Sequence, residues 1–182
     1  MFRTKQWMRT GDDPLINCAQ LVPGMSFLDC TLGLASDSII AQLAVGKAGK
    51  VVGLEAHRAL ACLVRHGLAT WREGSREMLE AMRAIEVIAV SHHDFLTAQP
   101  DDSFDVVYFD PMFEQTIDAS TGLQGLKAFA TDTELLEETI AEANRVASKR
   151  VILKDHWQST RFKRFGFTAI RRKHASFHYG YR

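Results

Sequence analysis

The chain has 182 residues, a length that fits one domain with a substantial buried core. Its composition is that of a globular protein, with 46% hydrophobic and 24% charged residues. No apolar run reaches the roughly 20 residues that a membrane span needs, which argues against a membrane protein. Three widely spaced cysteines without metal-ligand spacing favour a reducing, cytoplasmic location over a disulfide scaffold.

The formal net charge is zero, but the charges are unevenly distributed. Residues 1–148 carry 12 Lys or Arg and 21 Asp or Glu, a net charge of −9. Residues 149–182 carry 10 Lys or Arg against one acid, Asp155, a net charge of +9. A basic end on an acidic body is compatible with a polyanionic partner such as RNA. Acidic helices and basic strands that neutralise each other within one fold explain the same counts equally well.

Strands alternate with helices along the chain, which predicts an α/β sheet. The first half of the sequence predicts, in order, a helix from Asp13-Pro14 to Leu21, a strand at 26–30, a helix capped by Ser36-Asp37 that ends at Gly46 or Gly49, a strand at 50–54, and helices at 57–71 and 75–83. The second half predicts strands at 85–90 and 104–109, a helix at 133–147 capped by Thr131 or Thr133, a strand at 150–153, and a terminal antiparallel pair at 166–171 and 176–181.

The apolar strands indicate a sheet buried on both faces, hence a doubly wound and mostly parallel α/β fold. We predict one domain over residues 1–182, with a helical lead-in at 1–25 and the core at 26–182. Segment 114–132 shows no clear period and is long for a connection without structure. It is therefore predicted to be either mobile or functional.

The first candidate site follows the first predicted strand, since ligands of open α/β sheets bind beyond the carboxyl ends of the strands. Asp29 and Thr31 precede Gly33, which permits a tight turn and a close approach of the backbone to a ligand. Ser36 and Asp37 then stand where the next helix exposes its first amides. A glycine after a strand is common, so this segment alone is weak evidence of a site.

Acids also end the next two predicted strands. Glu55, followed by Ala56, is placed to accept hydrogen bonds from both hydroxyls of a ribose. Asp94 and Phe95 follow the third strand, where they are suited to bind an adenine amine and to cover the ring. Neither the glycine string of a dinucleotide site nor the Gly-Lys-Ser/Thr ending of a P-loop occurs in the sequence.

A ligand with ribose and adenine but without phosphate fits these three positions. Asp29 and Asp37 would repel a phosphate, whereas they are suited to hold an ammonium group or the edge of a sulfonium. S-adenosylmethionine carries all of these groups, and we therefore predict it as the cofactor. A nicotinamide oxidoreductase is disfavoured because the glycine string is missing.

The second candidate site, Asp110-Pro111-Met112-Phe113, ends the fourth predicted strand. An exocyclic base amine is a weak nucleophile because its lone pair is delocalised into the ring. The Asp110 carboxylate and the Pro111 carbonyl can accept its N–H groups, while Phe113 stacks on the base. Methyl transfer then needs mainly positioning. The alternative is a capped proline turn with Phe113 in the core, and the position directly after a strand favours the catalytic interpretation.

The two segments together resemble the class I methyltransferases and, more narrowly, the RsmJ family, which methylates a guanine amine in small-subunit ribosomal RNA. The family's D-A-T-A-G-L-G-R-D motif corresponds to DCTLGLASD at residues 29–37, and its Y-L-D-P-M-F string to YFDPMF at residues 108–113. Residues 149–154 resemble its fifth strand and residues 173–179 its closing strand. Ala35 and Ser36 depart from the family motif, and the chain looks closest to a branch seen in Gram-positive bacteria.

The resemblance implies a seven-stranded Rossmann-like methyltransferase sheet with an antiparallel C-terminal strand. It implies methyl transfer to an exocyclic amine, guanine N2 of ribosomal RNA, and cofactor contacts at Ser36, Asp37, Glu55, Ala56, Asp94, Phe95 and Asp110. A small-molecule or protein acceptor is the alternative, and a cofactor-binding module without catalysis is a second one. A homodimer is compatible with the sequence.

Residues beyond the fifth strand complete the predicted site. Lys154 and His156 are candidates for contacts with a substrate phosphate or base, together with Met112. Adjacent His92 and His93 lack a third matched ligand, so we predict a loop there and no metal site. Trp71 and Trp157 are expected to be packing residues.

Overall fold

The computed structural model describes residues 2–111, 135–173 and 175–182. The strands of this part of the chain are β1 (Ser26–Asp29), β2 (Lys50–Leu54), β3 (Glu86–Ile88), β4 (Phe104–Phe109), β5 (Ala147–His156), β6 (Thr168–Ile170) and β7 (Phe177–Tyr181). The helices are α1 (Phe2–Thr10), α2 (Pro14–Ala19), α3 (Ser36–Val45), α4 (Arg58–Thr70), α5 (Arg76–Ala84), α6 (His92–Thr97), α7 (Glu137–Val146) and α8 (Arg161–Arg164).

The strands form one sheet in the order β3-β2-β1-β4-β5-β7-β6, in which β7 alone of the described strands runs opposite to all the others. The predicted doubly wound sheet with an antiparallel C-terminal strand is therefore confirmed. Because β1 to β5 are parallel, their carboxyl ends meet along one edge. The antiparallel β7 begins at that edge, where Phe177 pairs with His156. We call this side of the sheet the carboxyl edge.

Helices cover both faces of the sheet because side chains alternate along each strand. In β1, Phe27 packs into a cluster with apolar residues of α2 to α5, whereas its neighbour Leu28 packs into a second cluster with residues of α6 to α8. Trp7 of α1 packs against the first cluster. The near-continuous apolar strands therefore reflect burial on both sides, as the sequence pattern indicates.

The fifth strand is longer than predicted. The expected strand covered residues 150–153, whereas β5 extends to His156 because Lys154, Asp155 and His156 pair with β7. A strand partner that is distant in sequence thus stabilises polar residues in an extended conformation. For the helix predicted at 133–147, α7 accounts for Glu137–Val146, while Thr131 and Thr133 lie outside the described residues.

Two local predictions are wrong. Ser36 and Asp37 do not cap α3, because Ala35 occupies the N-cap position with a left-handed φ of 61° and the Asp37 side chain turns into the protein. His92 and His93 do not lie in a loop but start α6, whose cap is Ser91, with the Ser91 hydroxyl accepting the Asp94 N–H at 3.1 Å. Among the described residues, no helix is long and apolar enough to cross a membrane.

Candidate active site

The two predicted segments lie side by side at the carboxyl edge. The backbone N–H of Asp110, directly after β4, donates to the Thr31 hydroxyl at 2.6 Å. The Cys30 N–H donates to the Tyr108 carbonyl at 2.9 Å and continues the pairing of β1 with β4. Residues 79 positions apart in sequence are therefore joined by a direct hydrogen bond, and Thr31 is the side chain that joins them.

Asp29 organises the turn that follows β1. Its carboxylate is 1% exposed and accepts hydrogen bonds from the Ser38 hydroxyl at 2.6 Å and from the Thr31 N–H at 3.1 Å. Burial raises the pKa of Asp29 to about 7, although the bond from Ser38 opposes this shift. The structure thus gives Asp29 partners within the protein, and a direct contact with a cofactor ammonium group stays a prediction.

The turn between β1 and α3 rests on β2. The Leu32 N–H donates to the Leu54 carbonyl at 3.0 Å, and the Leu32 side chain lies over Gly53, where a Cβ atom would be 2.3 Å from Leu32 Cδ1. Gly33 and Ala35 both have positive φ, of 48° and 61°. The sequence did not indicate a role for Gly53. A glycine inside a strand can mark the close approach of another group, but the sequence does not show that this group is Leu32.

Asp37 lies in the first turn of α3 and is buried among cations and a phenol. Tyr108 donates its hydroxyl to Asp37 Oδ2 at 2.9 Å, Lys154 Nζ lies 3.2 Å from the same oxygen, and Arg3 of α1 binds Oδ1. Burial disfavours the charged form, but Lys154 and Arg3 outweigh it and hold the pKa of Asp37 below its ordinary value. A cofactor contact by Asp37 likewise stays a prediction.

Lys154 bridges the two acids of the site. Its Nζ lies 2.6 Å from Asp110 Oδ2 as well as 3.2 Å from Asp37 Oδ2, and its side chain is 14% exposed. Burial raises the pKa of Asp110 to about 6, while Lys154 acts in the opposite direction. Asp110 and Asp37 raise the pKa of Lys154 despite its burial, so Lys154 is charged at neutral pH.

The same chain of charges continues into the N-terminal helix. Arg3 donates from Nε and Nη2 to the two carboxylate oxygens of Asp13 at 2.6 and 2.8 Å, and Asp13 also caps α2. The order Asp13, Arg3, Asp37, Lys154, Asp110 alternates in sign from α2 to the end of β4. Sequence reasoning did not find Arg3, because nothing in the residues around position 3 indicates a partner 34 positions away.

The predicted nucleoside contacts lie along the β2 and β3 side of the edge. Glu55 follows β2, and its Oε1 accepts the His57 N–H at 2.9 Å. Its backbone bonds to Ile88 and Val90 connect the ends of the two strands, with Ala56 next in the chain. Asp94 is exposed in the first turn of α6.

Phe95, next to Asp94, is half-buried. Its ring centroid lies 6.3 Å from that of Phe104, within the second apolar cluster. Phe95 thus packs against the core in this structure, and its role as a cover over an adenine ring stays a prediction.

The remaining predicted residues divide into described and undescribed ones. Pro111 is buried next to Asp110, and Met112, Phe113 and segment 114–132 lie outside the described residues. His156 ends β5, half-buried, with its ring 5.9 Å from that of Trp157. Trp157 and Trp71 are 54% and 44% exposed, so the prediction that they are packing residues is wrong. The described residues contain no group of three or more His, Cys, Asp or Glu arranged to hold a metal ion.

Solved structures of methyltransferases share this fold. A SAM-dependent methyltransferase from Aquifex aeolicus aligns over 100% of this chain and 98% of its own length, with 13% identity and a TM-score of 0.59. The methyltransferase NGO1261 from Neisseria gonorrhoeae aligns over 93% of this chain and 69% of its own, with 18% identity and a TM-score of 0.65. A Clostridium thermocellum protein designated an rRNA-methylase aligns over 93% and 96%, with 13% identity and a TM-score of 0.59.

Sequence comparison is more specific than the likeness in fold. The protein YpiP of Bacillus subtilis (strain 168) is 48% identical over 180 residues, which are 99% of this chain and 70% of that protein. The model of the SAM-dependent methyltransferase family SAM_MT matches residues 3–165, which include both motifs and the alternating charges from Arg3 to Lys154. The chain therefore belongs to this family and is an enzyme that uses S-adenosylmethionine to transfer methyl groups.

Proposed function

We propose that this methyltransferase acts on an exocyclic amine of an RNA base, with guanine N2 of ribosomal RNA as the first candidate. The observation that carries the proposal is the position of Asp110. It lies at the carboxyl edge, and its N–H is bound to Thr31 in the turn between β1 and α3. One structural neighbour is designated an rRNA-methylase, and the motif YFDPMF resembles that of enzymes that methylate a guanine amine.

The residues at the carboxyl edge fit S-adenosylmethionine. A Cβ atom built on Gly33 would meet only the Thr31 carbonyl, at 3.9 Å, so the backbone of this turn is open to a ligand. Glu55 would hold the ribose hydroxyls and Asp94 the adenine amine, with Ser36 exposed at the start of α3. Acidic side chains in place of a phosphate-binding glycine string suit a ligand without phosphate. When bound, the cofactor supplies an electrophilic methyl group on a sulfonium.

The chain's own residues position the acceptor. Lys154 holds Oδ2 of Asp110, so Oδ1 of the same carboxylate is the oxygen that accepts an N–H of the amine. The Pro111 carbonyl accepts the second N–H, which orients the nitrogen lone pair toward the methyl group. With a pKa of about 6, Asp110 is mostly ionised at neutral pH and can hold the proton that the methylated amine releases. Phe113 is proposed to stack on the base.

Cofactor and acceptor are tested separately. Calorimetry should detect binding of S-adenosylmethionine or its demethylated product, and preferential binding of NAD would contradict the cofactor assignment. Incubation with tritiated S-adenosylmethionine and total RNA from a strain that lacks the gene should then label ribosomal RNA. Label in none of the RNA pools would overturn the RNA acceptor and favour a small molecule or protein.

Asp110→Ala tests the catalytic role. We expect loss of turnover, because the amine loses its acceptor, with a circular dichroism spectrum like that of the wild type. Asp12→Ala, an exposed acid just before α2, serves as the control and should retain full activity. Full activity of Asp110→Ala would remove the role assigned to this carboxylate.

A further inference from the structure

The carboxyl edge continues beyond the candidate active site onto a surface that the methyl-transfer chemistry does not use. This surface consists of Trp157, which follows β5, and of the residues between β6 and β7 with the first residue of β7, namely Arg171, Arg172, Lys173 and Phe177. The Trp157 N–H donates to the Ser176 carbonyl at 3.1 Å, so the two connections lie against each other. We call it the basic-aromatic surface.

Phe177 connects this surface to the active site. Lys154 Nζ lies 5.0 Å from the centroid of the Phe177 ring, and the Arg172 guanidinium carbon lies 5.3 Å from the same centroid. Lys154 in turn binds Asp110 at 2.6 Å. Phe177 and Lys154 therefore connect the basic-aromatic surface to Asp110, the acid proposed to accept the amine.

Three basic side chains of this surface have groups that can bind an anion or a hydrogen-bond acceptor. Arg171 and Lys173 are exposed, and neither pairs with a carboxylate in the part of the chain that the structure describes. Arg172 Nη1 is buried and has no hydrogen bond acceptor among the described residues, which is costly unless a ligand supplies one. The surrounding segment 149–182 has a net charge of +9 and contains a single acid, Asp155. Asp155 pairs with Arg161, so this segment offers these cations no further acidic side chain.

Trp157 adds a stacking platform. Its side chain is 54% exposed at the carboxyl edge, so the indole ring is accessible to a base of a bound strand. An exposed indole beside free cations is the combination that single-stranded nucleic acids use, since bases stack on aromatic rings and phosphates meet Lys and Arg. An acidic protein would use the cations but would have no comparable need for the flat ring.

We infer that the basic-aromatic surface binds single-stranded RNA next to the target nucleotide, with a flanking base stacked on Trp157 and backbone phosphates on Arg171 and Lys173. Arg172 Nη1 then donates to an oxygen of the bound strand. The inference rests on the proposed RNA acceptor, and it specifies which residues hold the strand. It also assigns the basic C-terminal segment to a partner rather than to neutralisation of the acidic helices.

The test measures binding of a fluorescein-labelled single-stranded RNA of about 15 nucleotides to the full chain by fluorescence anisotropy. Trp157→Ala should weaken binding by about tenfold or more, the loss typical of one stacked base. The double variant Arg171→Ala/Lys173→Ala should weaken it and reduce the slope of log affinity against log salt by about 1.4, since each phosphate contact on a single strand contributes about 0.7.

Matched controls lie at the opposite end of the sheet. Trp71→Ala removes an indole of similar exposure after α4. Lys47→Ala/Lys50→Ala removes the same number of positive charges near the start of β2, where each lysine is exposed but pairs with a glutamate. Both controls should bind RNA like the wild type. Unchanged affinity for S-adenosylmethionine in every variant establishes that the fold and cofactor site are intact.

Several outcomes would overturn the inference. Equal losses in the control and surface variants would show attraction by net charge alone. An unchanged affinity of Trp157→Ala, or equally tight binding of a polyglutamate peptide, would show a surface for polyanions in general. If RNA is methylated but the surface variants keep the wild-type KM for RNA, the proposed function stands and this surface is not used. If RNA binds here without being methylated, the surface stands and the proposed acceptor is wrong.

Discussion

Lys154 and Asp110 define the electrostatics of the site at the scale of single residues. Burial raises the pKa of Asp110 to about 6. Lys154 Nζ, only 2.6 Å from its carboxylate, acts in the opposite direction and favours the ionised form. Because Lys154 also binds Asp37, one ammonium group compensates two carboxylates, with Arg3 as the second cation of the cluster. These contacts support a positioning role of Lys154 toward Asp110, and its contact with a substrate phosphate or base stays a prediction.

Lys154→Met should shift the pH dependence of cofactor binding. Without the ammonium group the pKa of Asp110 rises above about 6, so the ionised carboxylate appears only at higher pH. The motif resemblance predicts that this carboxylate also contacts the cationic cofactor. At about pH 5.5 we expect weaker binding of S-adenosylmethionine than in the wild type, and at about pH 8.5 equal or tighter binding, because one positive charge is gone.

Calorimetric affinities across this pH range measure the effect, and Lys154→Arg, which keeps the charge, is the control. A midpoint of the Lys154→Met curve at the wild-type pH would contradict the positioning role, whatever the absolute affinities.

Asp29→Asn should make stability less dependent on pH. The pKa of Asp29 is about 7 in the fold against 3.8 as its ordinary value, so its contribution is full below about pH 4 and is lost as pH rises through 7. The free energy of unfolding of the wild type should therefore fall by about 3 kcal/mol more than that of the variant between about pH 5 and 8. Urea unfolding measures both, with Asp12→Asn as the exposed control. Parallel curves would show that Asp29 is ionised in the fold.

At the scale of elements, the site is a junction of three strands and one turn. The turn after β1 is bound to the end of β4 through Thr31 and rests on β2 where Gly53 leaves room for Leu32. This arrangement fixes the backbone around Gly33, which is open to a ligand and is proposed to face the cofactor. Positioning by packed strands is more rigid than positioning by a free loop, because each strand is held on both sides.

Gly53→Ala tests the contact between this turn and β2. The added Cβ would be 2.3 Å from Leu32 Cδ1, so the buried Leu32 side chain must shift. Overpacking of this kind typically costs about 1–3 kcal/mol, and we expect the turn that carries Leu32 to shift with it. We expect weaker binding of S-adenosylmethionine by calorimetry. The second substitution in Gly53→Ala/Leu32→Ala removes the clash and should restore part of the affinity. An affinity of Gly53→Ala equal to the wild type would show that the turn is not coupled to β2.

For the whole molecule, the alternating charges connect the N-terminal helix α1 to the end of β4. Arg3 of α1 binds Asp13, the cap of α2, and Asp37 of α3, so α1 is held to the carboxyl edge by ion pairs as well as by Trp7 packing against the first apolar cluster. The two partner acids are 3% and 7% exposed in their side chains. Loss of Arg3 leaves both with less compensation, which a protein tolerates poorly.

Arg3→Met should loosen α1 and destabilise the protein. A fully buried pair broken on one side costs about 3–5 kcal/mol, and we expect about 2 kcal/mol here because the Arg3 side chain is 34% exposed and Lys154 still binds Asp37. Urea unfolding gives the free energy, and hydrogen exchange should be faster in residues 2–10 than in β1 and β4. Arg3→Lys should lose less. Unchanged exchange in α1 would show that packing alone holds the helix.

Much of the fold is predictable from local patterns. The runs at 50–54 and 104–109 are strands residue for residue, and Asp13-Pro14 starts a helix as its capping chemistry requires. These predictions succeed because capping, β-propensity and alternation act between near neighbours in sequence. The length of β5 and the N-cap at Ala35 were not predictable, since the first depends on pairing with β7 and the second on a left-handed backbone that alanine rarely adopts.

The sequence by itself determined the family and the two segments proposed to form the site, because the motifs at residues 29–37 and 108–113 are contiguous strings of residue types. The tertiary structure alone decided their electrostatic state. Arg3, Asp37, Lys154 and Asp110 are spread over most of the chain and meet only where parallel strands end at one edge. Burial and charge pairing depend on distances in space, which no spacing along the sequence records.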